Sequence, residues 1–188
     1  MIRLRLLLIL AALVLLPTPA QATSVAYYSD DQLFDMSEIV MMGVVWRRDT
    51  DRSGYPRTEY EVETEECFKG CTSGSFVTMS FMGAPADALE DGDEWFMGMP
   101  SPTPGTRVIV YLARSQSGRL VPISLGLSHF TVFYHSGLKK HIAHRDVDQI
   151  AIIKPAVAGR DGGGETVIPR DRFATDVIAE LREKRARQ

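Results

Sequence analysis

Between Thr58 and Phe68 the chain alternates residue by residue, with Tyr60, Val62, Thr64 and Phe68 in one phase and Glu59, Glu61, Glu63 and Glu65 in the other. A period of two places these sets on opposite faces of a β-strand, one toward a core and one toward water. A helix of period 3.6 would scatter both sets around its surface. Five glutamates in eight residues also raise the chemistry of paired carboxylates or calcium ligands. Along a strand, however, alternate positions form one charged ladder facing solvent, and no Asp/Asn/Gly loop pattern of a calcium site accompanies them.

The neighbouring segments follow the same rule. Ile39 to Trp46 is apolar on both alternating faces, which suits a strand covered on both sides, and Gly43 in its middle is a natural bend or bulge. Asp49 to Pro56 is a turn cluster, and Ser75 to Met82 alternates again. Arg107–Ala113 and Leu120–Ser124 flank a turn at residues 115–118, and His129–His135 and Lys139–His144 flank another at Ser136-Gly137. Five to seven closely spaced strands with no helix between them predict a mostly β fold, a small barrel or sandwich. A short helix is expected at Asp30–Met36, capped by Ser29 or Asp30. Residues 154–168, with Gly162 to Gly164, read as a flexible linker. Beyond it Phe173, Val177, Ile178 and Leu181 form one apolar stripe, predicting a C-terminal helix within 169–188 that docks on the β domain of 23–153.

The first 22 residues read as an address. Arg3 and Arg5 precede the apolar run Leu6–Leu16, Pro17-Thr18-Pro19 breaks the helix, and Ala20-Gln21-Ala22 offers a small-x-small cleavage site. The expected product begins at Thr23 in the periplasm or outside the cell, with no stable membrane insertion once the leader is cut. A mean hydropathy of −0.06 excludes a multispanning membrane protein. Loss of Arg3 and Arg5 moves the formal charge from −3 to −5. That charge is uneven, since residues 59–94 hold ten acids against Lys69 alone. An acidic balance argues against nucleic acid as partner.

The catalytic inventory is thin. There is no GxSxG, HExxH, phosphate-binding loop or dinucleotide fingerprint, and a non-enzymatic protein without a cofactor is expected. Cys67 and Cys71 would meet an oxidising compartment; five residues of straight strand hold them too far apart to bond, but a turn at residues 68–70 brings them within disulfide reach. A pair stapling one hairpin is the expectation. His129, His135, His141 and His144 fall within 16 residues, and Met97 and Met99 flank Gly98 close to Trp95. Thioether and imidazole together suit copper, and imidazole also zinc, so Met97, Met99, His129 and His135 make an alternative metal site. Against it, His129 and His135 stand about 20 Å apart along one strand face.

One longer pattern runs through the chain: Ser37-Glu-Ile-Val-Met-Met-Gly-Val-Val45, Tyr60-Glu-Val62, Cys67-Phe-Lys-Gly70, Phe76-Val-Thr-Met79, Gly105-Thr-Arg-Val-Ile-Val-Tyr-Leu112 and Leu125-Gly-Leu-Ser-His-Phe130. It resembles the netrin-like domain of tissue inhibitors of metalloproteinases and the small secreted bacterial proteins similar to it. The resemblance implies a five-stranded OB-like barrel with an appended C-terminal helix. That family inhibits through an amino-terminal cysteine; here none precedes Cys67, so no inhibitor residue transfers. The implied role is an exported binding module for a protein partner, a protease among the candidates, with a contact surface at Thr23–Asp30 and on the 83–104 loop around Trp95, Phe96 and Met97.

Overall fold

The computed structural model describes residues 23–93, 96, 98–147, 150–153 and 169–188. The expected leader at 1–22, the expected linker at 154–168, Trp95 and Met97 lie outside the described residues. Among the described residues ten strands follow in chain order: β1 (Thr23–Ala26), β2 (Ile39–Asp51), β3 (Arg57–Lys69), β4 (Phe76–Met82), β5 (Arg107–Arg114), β6 (Leu120–Pro122), β7 (His129–His135), β8 (Lys140–His144), β9 (Ile150–Ile153) and β10 (Asp171–Phe173). Helix α1 spans Asp30–Met36 and α2 spans Ala174–Ala186.

Eight strands form one antiparallel sheet in the order β10-β8-β7-β5-β2-β3-β4, with β6 on the end of β5, while β1 and β9 form a separate parallel pair. The expected five-stranded barrel is not what forms, because this sheet does not close. Closure would require β4, whose only ladder is with β3, to zip onto a strand across the seam. The element opposite it is β6, only three residues long and ending in Pro122, which has no N–H to donate. A cleft of about 390 Å³ lies there instead, lined by Phe76, Thr78, Ser80 and Leu120. Growth continues at the other end of the sheet, where β8 and β10 add beyond β7.

Strand β5 explains why both faces are apolar. Ile109 and Tyr111 join a core with Val40, Phe68, Phe130, Val132 and the two helices, through Leu33, Phe34, Val177 and Leu181. Val108, Val110 and Leu112 point the other way, into a second core with Met41, Val45, Tyr60, Val62, Met79 and Phe81. The apolar stripe of the C-terminal segment is seen as expected at Val177 and Leu181, whereas Phe173 is the last residue of β10 and remains partly exposed. Helix α1 carries a capping box, with Gln32 N–H donating to Ser29 Oγ at 3.3 Å and Ser29 N–H to Gln32 Oε1 at 2.9 Å. Lys69 Nζ closes its other end, donating to the carbonyls of Phe34 and Asp35 at 2.8 and 3.0 Å.

Three register shifts interrupt the β2–β3 ladder, leaving Trp46 on β2 and Glu65 and Phe68 on β3 without a partner residue opposite. Each reverses the phase of alternation on its strand. The turn after β3 is closed by a Cys67–Cys71 disulfide, with Cα atoms 5.6 Å apart.

Candidate functional site

Two places in this frame gather exposed or unsatisfied chemistry. The first is the outer face of β2, β3 and β4. Before the bulge, Met41, Gly43 and Val45 face the inner core; after it, Arg48 and Thr50 take the inward side and Arg47 and Asp49 turn outward. Trp46 sits at the switch and is turned out to solvent, 65% exposed. Phe76, at the start of β4 and 52% exposed, meets it edge to face with ring centroids 6.4 Å apart.

The glutamate ladder beside these rings is less uniform than its spacing suggests. Glu65 holds Arg107 through two bonds of 2.7 Å, Glu66 holds Arg182 of α2 through bonds of 2.7 and 2.8 Å, and Glu59 lies 3.8 Å from Arg119. Glu61 and Glu63 have no cation within ion-pair distance among the described residues. Ladder pairing places Glu63 between Val44 and Phe76, and Glu61 between Arg47 and Thr78. Glu63, with no cation opposite it, and Glu61, with Arg47 across the ladder but no close ion pair, thus flank an exposed aromatic pair.

The second place is a cleft of about 380 Å³ between the 83–106 loop and the inner face of β7 and β8. Several bonds strap the loop down: Arg48 donates to Asp87 at 2.7 Å, Arg52 to Asp93 at 3.1 Å and to the Ala88 carbonyl at 3.0 Å, and Gly126 N–H to the Gly98 carbonyl at 3.0 Å. These guanidinium bonds hold the Asp87 and Asp93 carboxyls below their ordinary range. Under the loop, burial pushes the Tyr60 hydroxyl up to about 12.

Met99, His129, Phe133, His144 and Asp146 all line this cleft. His129 opens β7 opposite Val110, is 3% exposed, and its Nε2 is buried without a hydrogen-bond partner among the described residues. Burial alone drives its pKa down to about 3, so the ring is neutral at any physiological pH. His144 lies opposite Thr131 in the β7–β8 ladder, diagonal to His129, and its Nδ1 is 2.7 Å from Asp171 Oδ1 on β10.

The expected site residues are therefore divided. Met99 and His129 share the cleft, while His135 lies at the far end of β7, exposed in the hairpin turn, where its Nδ1 accepts from Leu138 N–H at 3.2 Å. Phe96 is half-buried and tilted against Tyr55 with centroids 6.0 Å apart, so it braces the loop against the β2–β3 turn. Trp95 and Met97 lie outside the described residues. Sequence reasoning passed over Trp46 and Phe76 as site residues and kept His144 as one of four clustered histidines without placing it in the alternative metal set; the first two stood in plain apolar or alternating runs, and only the bulge and the ladder bring them together.

Among the described residues no three of His, Cys, Asp and Glu converge as a metal site, and no helix is long and apolar enough to cross a membrane. No family model, no curated protein and no solved structure matches the chain.

Proposed function

We propose that this chain is an exported, non-enzymatic binding protein whose outer β2–β4 face grips a cationic segment of a protein partner. The observation that carries the reading is the exposed Trp46–Phe76 pair beside Glu63, which has no cation opposite it, and Glu61, which makes no close ion pair. Aromatic rings supply apolar area at small entropic cost and attract cations to their faces, and carboxylates steer the same cations to them. Trp is among the residues most enriched at binding hot spots. Export rests on the leader pattern of Met1–Ala22 and on the Cys67–Cys71 bond, which suits an oxidising compartment.

The test is titration of the 23–188 chain with extended peptides alternating Lys or Arg with Leu, followed by isothermal calorimetry. Binding should weaken at least about tenfold in Trp46→Ala and in Glu63→Lys, and should fall with added salt. Equal affinity for an alternating Glu/Leu peptide, or no change in either variant, would overturn it.

A further inference from the structure

We propose that the cleft under the 83–106 loop is a Cu(I) site, with the Met99 thioether and the imidazoles of His129 and His144 as its donors. All three residues line the same cleft, and they come from three different elements: the loop, the start of β7 and the end of β8.

Three observations carry this beyond mere proximity. The first is the state of His129. Its Nε2 is buried and unpartnered among the described residues, a polar atom taken from water without a bond in exchange. A ligand to a metal must offer a free donor atom, and His129 Nε2 has no competing partner among the described residues. Binding a metal ion would satisfy an atom that the fold leaves unsatisfied.

The second is the orientation of His144. A metal-binding histidine usually holds its other ring nitrogen to a carboxylate, which fixes the tautomer and turns the free nitrogen toward the metal. The 2.7 Å contact between His144 Nδ1 and Asp171 has that form, and it leaves Nε2 as the coordinating atom. Register supports the same arrangement. With Thr131 opposite His144, His129 is the diagonal neighbour on the same face, at a separation of about 7–8 Å between such positions.

The third is the donor chemistry, which selects the metal. Thioether and neutral imidazole bring no negative charge and suit a soft monovalent ion rather than Zn(II) or a hard cation. Asp146 lines the cleft as well, but no three His, Cys, Asp or Glu residues converge there among the described residues, so the three protein ligands that a Zn(II) site takes from those residue types are not assembled. The remaining lining mixes Pro100, Pro102 and Phe133 with the hydroxyls of Ser101, Thr103 and Thr131, and so adds no further charged ligand.

The experiment uses the disulfide-intact 23–188 chain under argon, with Cu(I) added as its acetonitrile complex against a chromophoric competitor, and Ag(I) as a redox-silent check. One equivalent should bind, with X-ray absorption reporting both sulfur and imidazole nitrogen around copper. Met99→Leu keeps the side-chain volume and should lower affinity at least about tenfold; Asp171→Asn, acting through His144, should lower it about 10–100-fold. Met36→Leu, at an exposed methionine on α1, should change nothing. If His129→Gln fails to fold by circular dichroism, Met99→Leu and Asp171→Asn still decide. Absence of sub-micromolar binding, or affinity unaltered in both variants, would overturn the assignment.

Discussion

The Arg145 guanidinium lies 4.0 Å over the ring of Phe130 while donating to the Asp30 carboxylate, which joins the end of the sheet to the first turn of α1. Arg172 of β10 donates to the other Asp30 oxygen at 3.0 Å and also to Glu180 of α2. One carboxylate therefore ties together both helices and the β8–β10 edge. Arg145 is 4% exposed, so removing its partner strands a buried charge. Asp30→Ala should cost about 3–5 kcal/mol in urea unfolding, much of it from that uncompensated guanidinium. A loss below about 1 kcal/mol would show that Arg172 and Phe130 suffice without Asp30.

Gly43 is held where no side chain fits. A Cβ there would stand 2.3 Å from the Glu63 carbonyl oxygen and 2.8 Å from Val62 Cγ1, and the first of these is backbone that cannot swing away. Gly43→Ala should destabilise by about 1–3 kcal/mol through overpacking, read as a lower urea midpoint with an unchanged slope.

His129 makes stability depend on acid. Its folded pKa, about 3, lies below the ordinary histidine value of about 6.5 in the unfolded chain. The unfolded state then binds the extra proton as pH falls, so this contribution is complete above about pH 6.5 and is lost progressively toward pH 3. The slope approaches about 1.4 kcal/mol per pH unit in that window. Because Asp87 and Asp93 also lose their arginine bonds in acid, the informative quantity is the difference between wild type and His129→Gln between pH 6.5 and 4.5. Parallel curves would refute it.

The disulfide closes a very short loop, so its entropic contribution is modest, about 2 kcal/mol. A Cys67→Ser/Cys71→Ser chain should stay folded and lose about that much in urea unfolding. Gly70 within the loop has φ +68°, and a Cβ on it would meet the Glu38 carbonyl oxygen at 2.0 Å, so the turn geometry is also secured by its glycine.

Arg52 fastens the 83–106 loop at three points, Asp93, Glu90 and the Ala88 carbonyl, although each ion pair is solvent-facing on one side. Arg52→Ala should leave the global urea midpoint nearly unchanged yet raise the rate of proteolytic nicking within 83–106 several-fold. Unchanged nicking would locate the loop's anchorage at Arg48–Asp87 and Gly98–Gly126 alone.

Much of the secondary structure was legible in the residues themselves. Period-two alternation marks β3 and β4, the two-faced apolar run marks β2, and the turn signals delimit the β5–β6 and β7–β8 hairpins, because side-chain direction along a strand is local geometry. The cap at Ser29, the stripe of α2 and the pairing of Cys67 with Cys71 follow from equally short spacings. What the spacing could not carry was phase and closure. A single bulge at Trp46 turns the remainder of β2 over, so a tryptophan at the end of an apolar run stands in water beside Phe76 instead of in a core. Whether the sheet becomes a barrel depends on a long-range pairing between β4 and a strand that is only three residues long, and that pairing does not form. Met99, His129 and His144 are separated by up to 45 positions along the chain and meet through the loop and the ladder. Local sequence set which segments are strands and which faces are apolar, since those depend on near neighbours. Only the tertiary fold decided which side chains share a cleft, because that rests on register, bulges and contacts between segments far apart in sequence.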